Sequence, residues 1–255
     1  MSAPVFISDG AAAARPGDDV VVTGPEAHHA AVQRRGLGER VEVVDGRGAR
    51  AAGVVVESGA ERMVVRIEET SFDHDSEVVL VQALAKGGRD EQAIEAATEL
   101  GATRIVPWAA ARCVVEWRGA KADKARASWA DRVTAAAKQS RRARVPVVDP
   151  VVTTAELAVV VGAAVARGDR VIVLHESASA PLVFVPVGGE PLAPLWFIVG
   201  PEGGIADDEL ATLVAAGAVA TRLGPYVLRA SSAGPAAIAA ASALRGSWSA
   251  ASGAL

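Results

Sequence analysis

Three short strings place glycine, hydroxyl and charged side chains directly after apolar runs. His175, Glu176, Ser177 and Ser179 follow RVIVL at 170–174; Gly200-Pro201-Glu202-Gly203-Gly204 follows LWFIV at 195–199; Leu223-Gly224-Pro225-Tyr226-Val227-Leu228-Arg229 follows VATR at 219–222. In open α/β sheets, ligands bind beyond the carboxyl ends of the strands, and glycine lets backbone amides approach a ligand with no Cβ in the way. The Gly200–Gly204 string is therefore either a ligand loop or a tight strand-to-helix turn, and it fits neither the dinucleotide fingerprint nor the P-loop. Arg229 offers a fixed cation ahead of an Ala-rich helix, for which Ser231 or Ser232 is the expected cap. His175 and Glu176 are neighbours, and adjacent residues on a strand face opposite ways, which argues against a direct acid/base pair.

Other chemistries lack their parts. The chain has no GxSxG elbow and no HExxH, and His28 and His29 are neighbours without metal-ligand companions, so no metal is expected. Cys113 is the single cysteine, which excludes an internal disulfide or a CxxC zinc cluster and favours a reducing compartment. Its apolar surroundings point to a small core residue rather than a nucleophile.

These strings need elements to hold them. The 255 residues, 51% hydrophobic and 22% charged, have a globular composition long enough for one large domain or two unequal ones. The N-terminal MSAPVFISDG has neither a basic stretch nor an apolar run, and no apolar run reaches the roughly 18 residues of a membrane span, so a cytoplasmic protein is expected. The net charge of −4 conceals a basic segment: residues 104–144 hold eleven Lys and Arg against three Asp and Glu. That segment, interleaved with Trp108, Trp117 and Trp129, reads either as solvated helix surface or as a nucleic-acid face.

Residues 1 to about 72 read as a β-rich module with one early helix carrying His28, His29, Val32 and Arg35. Strands are expected at 41–46, 50–57 and 62–68, with a turn at Asp45-Gly46, in a small OB-like or other barrel. From about 74, strand candidates at 77–84, 103–107, 170–175, 195–199 and 219–223 alternate with helices at 91–100, 121–139, 155–166, 207–216 and 233–245. Several of these strands lack polar alternation, as in a parallel sheet covered on both faces. Asp90 and Thr154 are the expected caps of their helices, and Gly101 the stop of the first. The helix at 233–245 is apolar nearly all round, which fits burial in its own domain or in a homodimer.

The order of HES, GPEGG and LGxxxLR, together with HHAAVQRR at 28–35, GERVEVVDGRG at 38–48, AKGGRDEQAIEAATELG at 85–101, RCVVEWRGAK and AAKQSRR at 136–142, resembles the ribosomal RNA small subunit methyltransferase E family of the SPOUT superfamily. The resemblance covers nearly the whole chain. It implies an α/β fold: a PUA- or OB-like β-barrel RNA-binding domain over 1–72, then a SPOUT methyltransferase domain over 73–255 with a C-terminal trefoil knot, paired as a homodimer. The implied cofactor is S-adenosylmethionine, held at Leu174, Val199, Gly200, Glu202, Gly203, Leu223, Gly224 and Leu228, and the implied reaction is methylation of N3 of one uridine of 16S rRNA. His29, Arg34, Arg35, Arg112, Arg141 and Arg142 are the expected RNA contacts. The chain departs from the family at Tyr226, where Arg is usual, and at Ala230-Ser231-Ser232, where Thr-Glu-Thr is usual.

The implied chemistry sets the catalytic candidates. Uracil N3 is nucleophilic only when its proton has left or is leaving, so a cation that stabilises the developing oxyanion helps. Arg229 is the candidate for that role, with Glu202 and His175 as candidate bases. The departures keep two alternatives open: a non-catalytic RNA-binding or ribosome-assembly protein of the same fold, and a SPOUT enzyme acting at another RNA position.

Overall fold

The computed structural model describes residues 3–32, 36–182 and 193–246. The chain divides into two compact units, one of residues 1–75 with 137–145 and the other of 76–136 with 146–255.

In the first unit, β1 (Val5–Ile7), β2 (Asp19–Thr23), β3 (Arg40–Val44), β4 (Ala49–Ser58) and β5 (Arg62–Phe72) form a sheet in the order β1-β3-β4-β5-β2. Only β1 and β3 pair in parallel. The strands alternate as a half-solvated sheet should: Val20 and Val22 of β2 are buried, whereas Asp19, Val21 and Thr23 face water. With Phe6, Val41, Val43, Val55, Met63, Val65 and Ile67 they make one core. The predicted hairpin turn forms because the Asp45 carboxylate accepts from the amides of Arg47 and Ala49, at 2.7 and 2.9 Å, and Gly46 takes φ +76°. The early helix, α1 (Gly24–Val32), is present.

The second unit is built on seven strands: β6 (Val78–Ala83), β7 (Arg104–Ala109), β8 (Val147–Val148), β9 (Val152–Thr153), β10 (Arg170–Leu174), β11 (Leu195–Val199) and β12 (Val219–Thr221). Their order is β12-β10-β11-β6-β7-β8, with β9 also on β7, and every pairing is parallel. All of β6 and β11 is buried, which is why their sequences do not alternate. On one face α4 (Thr154–Ala166) and α5 (Asp207–Ala215) enclose a core with Trp108, Leu157, Trp196, Ile198 and Leu213. On the other face α2 (Arg89–Glu99) and α6 (Ala230–Leu244) pack together over β6. The remaining helix, α3 (Ala120–Gln139), is long and amphipathic as predicted. No helix among the described residues is long and apolar enough to cross a membrane.

Three expected caps differ. The cap of α2 is Gly88 at φ 71°, and Asp90 lies inside the first turn, buried, accepting from the Ala85 amide at 3.0 Å; burial pushes its carboxyl upward against that bond and the one from Glu91. Thr153, not Thr154, caps α4 in a reciprocal bond pair with Glu156. Thr154 instead donates to buried Glu209 at 2.6 Å and accepts from the Trp108 indole at 3.1 Å, so its hydroxyl serves the core. Ser231 and Ser232 are helical, because α6 begins at Ala230, and Arg229 caps it through its backbone alone.

Candidate functional site

Parallel neighbours end at the same edge of a sheet. Register pairs Leu174 of β10 with Thr221 of β12, and Val173 with Ile198 of β11, so the segments leaving these three strands emerge side by side. After β11 the chain folds back on itself: the Gly204 amide donates to the Pro201 carbonyl at 2.9 Å and Gly204 holds φ +74°. A Cβ on Gly200 would stand 2.6 Å from Cγ1 of Ile205, so this turn closes over a glycine alone.

The three loops enclose two adjoining cavities. The larger, about 350 Å³, is lined by Leu174, His175, Val199, Gly200, Glu202 and Leu228, with Arg229 and Arg89 at its sides. The smaller, about 150 Å³, is lined by Leu223, Gly224, Tyr226 and Arg222 and shares Leu174, His175 and Leu228 with the first. The larger volume is in the range of small-molecule sites, roughly 300–1,000 Å³. Of the predicted cofactor-binding and catalytic residues in these loops only Gly203 lines neither cavity, and the loop hydroxyls Ser177 and Ser179 line neither as well; the Cβ position of Gly203 is 3.1 Å from Cβ of Arg112.

The charged candidates have distinct settings. Glu202 accepts from the Lys86 amide at 3.2 Å and from the Arg89 guanidinium at 2.9 Å. Burial works to raise its pKa, but its own amide, Arg89 and Lys86 outweigh that and hold the carboxyl below its ordinary value. Such a carboxylate is a weak base and a good strut. His175 lies beyond β10, which stops at Leu174, so the opposite-facing argument for His175 and Glu176 does not apply; both line both cavities. The Ser177 hydroxyl stands 2.8 Å and the Ser177 amide 3.3 Å from Nδ1 of His175, so that nitrogen is engaged within its own loop and Nε2 is the ring atom left for a ligand. Arg229 is exposed and has no carboxylate partner among the described residues. Arg89 was not foreseen from the sequence: it opens a helix far along the chain from the three loops, and only the α2 to β6 packing brings it to Glu202.

The expected RNA contacts fare unevenly. Arg34 and Arg35 lie outside the described residues. His29 is on the exposed side of α1, with its ring edge toward Phe6. Arg112 donates to the Gly203 carbonyl at 3.0 Å and so braces the glycine loop. Arg142 is 11% exposed in an ion pair with Asp75 at 2.9 Å, whereas Arg141, at φ 60°, is exposed and has no side-chain partner among the described residues. Cys113 is half-buried and its thiol is pushed up to about 11 by burial, as a core residue's would be. No three His, Cys, Asp or Glu side chains gather as a metal site among the described residues.

An open parallel sheet with a glycine-lined cavity at its carboxyl edge defines a small-ligand-binding α/β protein, and the comparisons narrow the class: residues 73–242 match the RNA methyltransferase domain family. The chain is 46% identical over 233 residues to the ribosomal RNA small subunit methyltransferase E of Mycobacterium bovis, covering 90% of this chain and 88% of that one. It is 29% identical to the enzyme of the same name from Bacillus subtilis, over 82% and 83% of the two chains. The crystal structure of the Neisseria gonorrhoeae ribosomal RNA small subunit methyltransferase E, bound to S-adenosylmethionine, superimposes with a TM-score of 0.85 at 27% identity, covering 96% of this chain and 98% of that one. The chain belongs to the ribosomal RNA small subunit methyltransferase E family.

Proposed function

We propose that this chain transfers a methyl group from S-adenosylmethionine to N3 of one uridine in the 16S rRNA of the small ribosomal subunit. The observation that carries the reading is the 350 Å³ cavity at the ends of β10, β11 and β12 in a chain of this family. The cavity suits the cofactor: Leu174, Val199, Ile205 and Leu228 give apolar walls, and Gly200 and Gly204 give backbone close to the ligand. Two buried oxygens without hydrogen-bond partners, Gln82 Oε1 and Thr221 Oγ1, belong to residues paired in register with the lining residues Val199 and Leu174. When bound, the cofactor supplies an electrophilic methyl group on a sulfonium.

The remaining work falls to the chain. Leu174, Val199, Gly200, Leu223, Gly224 and Leu228 hold the cofactor. Glu202 fixes Arg89 and the Lys86 amide beside it, and Gly203 acts indirectly, through Arg112. Arg229 stabilises the negative charge that appears on the uracil ring as N3 loses its proton, and in-line positioning contributes much of the rate. His175, whose Nδ1 is engaged by Ser177, presents Nε2 to the uracil ring, and loss of the N3 proton to water serves as the base step.

In the same reading the first 72 residues act as an RNA-binding barrel, with His29, Arg34, Arg35 and Arg141 as contacts. Residues 73–255 form a methyltransferase domain whose C-terminal part carries a trefoil knot. The chain works in the cytoplasm as a homodimer through faces that include α6, where Ala243 and Leu244 are exposed. The test is transfer of isotopically labelled methyl from S-adenosylmethionine to unmodified small-subunit rRNA by the purified chain, with cofactor affinity measured by calorimetry. Label in the rRNA and a saturable binding isotherm are expected; binding without transfer would instead make the chain an RNA-binding relative that has lost turnover.

A further inference from the structure

The loop between β12 and α6 turns apolar side chains outward. Tyr226, the single tyrosine of the chain, is 83% exposed, and Val227 beside it 75%. Both line the smaller cavity, and Val227 also lines the larger one. A solvated aromatic ring forgoes the stabilisation that burial would give it, so its place at a cavity mouth calls for a ligand with an apolar face. The charges near it specify which. Arg222 lines the smaller cavity and Arg229 the larger; both are exposed, and neither has a carboxylate partner among the described residues. The cation across the larger cavity, Arg89, is already paired with Glu202. An exposed aromatic ring at adjoining cavities lined by two guanidinium groups matches a nucleotide of single-stranded RNA, whose base stacks and whose phosphate takes a cation.

We propose that Tyr226 is the stacking platform for a base of the RNA substrate and that Arg222 meets a phosphate next to that base. This rests on the function proposed above and deepens it: at this position the chain grips its RNA by stacking. A second copy of the chain is the competing occupant. Two guanidinium groups without a carboxylate partner among the described residues, beside one exposed ring, favour a polyanion over an identical, net acidic protein.

The experiment compares wild type, Tyr226→Phe, Tyr226→Ala and Arg222→Gln in methyl transfer to an unmodified small-subunit rRNA transcript, with calorimetric cofactor affinity and light scattering on each. Tyr226→Ala should raise KM for the transcript roughly tenfold to a hundredfold, leave cofactor affinity within about twofold and leave the mass unchanged. Tyr226→Phe should stay close to wild type, since stacking needs the ring and not the hydroxyl. Arg222→Gln should raise KM less and flatten its salt dependence by about one unit of log K per log salt. An unchanged KM in Tyr226→Ala overturns the proposal, as does a parallel loss of cofactor affinity, a change in mass, or a Phe variant as impaired as Ala. If wild type transfers no methyl, the functional reading fails by itself; fluorescence anisotropy of a uridine-rich single strand then decides the stacking, which stands only if Tyr226→Ala weakens binding by the same factor.

Discussion

Residues 104–144 and the loops of 174–229 both attract attention from the sequence, the first for its charge and the second for its glycines, and the structure treats them in opposite ways. In the basic segment most of the charge is spent inside the fold. Arg104 pairs with Asp149, Arg118 with Glu116, Arg132 with Glu91 and Glu95, Lys138 with Glu26, and Arg142 and Arg144 with Asp75. Arg126 donates to the Val148 carbonyl and Arg112 to that of Gly203. Lys121, Lys124 and Arg141 are left without such partners among the described residues. The loops carry few cations, yet Arg222 and Arg229 lie beside a cavity and have no carboxylate partner among the described residues. A polyanion or a reacting base responds to charge that is not already neutralised within a few ångströms, so the sparse region outranks the dense one.

Arg229 should show the largest effect. If its free guanidinium stabilises the uracil oxyanion, Arg229→Ala should lower the single-turnover rate by about a hundredfold to a thousandfold, with cofactor affinity retained. A rate within a few-fold of wild type would return Arg229 to a mere helix cap. Arg112 comes next, because it belongs to the basic segment but touches the glycine loop. Arg112→Ala removes one hydrogen bond to Gly203, so calorimetry should show S-adenosylmethionine affinity reduced by about five- to tenfold, and the salt dependence of RNA binding should not change. The opposite pattern would make Arg112 a phosphate contact.

Arg141 and Arg142 sharpen the contrast between adjacent residues. Arg141→Ala should reduce the slope of log K for rRNA against log salt by about 1 and leave the melting temperature alone. Arg142→Ala should leave the slope alone and lower stability by about 1 kcal/mol, since it removes the nearer of the two arginines that pair with Asp75, and denaturant titration reads that loss. Smallest is the effect of pH on the Glu202 strut. Its carboxyl lies below the ordinary value, so its contribution is present above the usual carboxylate range and is lost only as pH falls through the lowered value. Cofactor affinity should therefore be flat from about pH 6 to 9 in this respect, and an acidic limb in that range abolished by Glu202→Gln would show that Glu202 titrates there as a base.

Apolar runs without polar alternation made β6, β7, β10, β11 and β12 legible, because strands such as β6 and β11 are buried on both faces, whereas the two-residue β8 and β9 are too short to leave a pattern and were not foreseen. The loops were legible for a related reason: glycines after apolar runs have few other uses. Capping was misread where a side chain had a better partner in the core, as Thr154 has in Glu209 and Trp108, and where α6 began three residues earlier than its alanines suggested. Arg89 was invisible because nothing local marks a residue whose partner is more than a hundred positions away. The pairing of the basic segment was hidden for the same reason: the count of charges is in the sequence, but the distances between them are not. Residues 137–145 show the limit well, since they continue α3 in sequence yet cluster with the first unit, where Ala143 packs on Val5 and Val44.

The site of the transferred methyl group decides the function of this chain. Nucleoside mass spectrometry of small-subunit rRNA, taken from cells lacking this chain and treated with the purified protein and S-adenosylmethionine, tests it most directly. The prediction is one new methyl per rRNA, on N3 of a uridine, absent when Arg229→Ala replaces wild type at matched times. A methyl on a ribose hydroxyl or on another base, or no methyl at all from a protein that binds the cofactor, would contradict it.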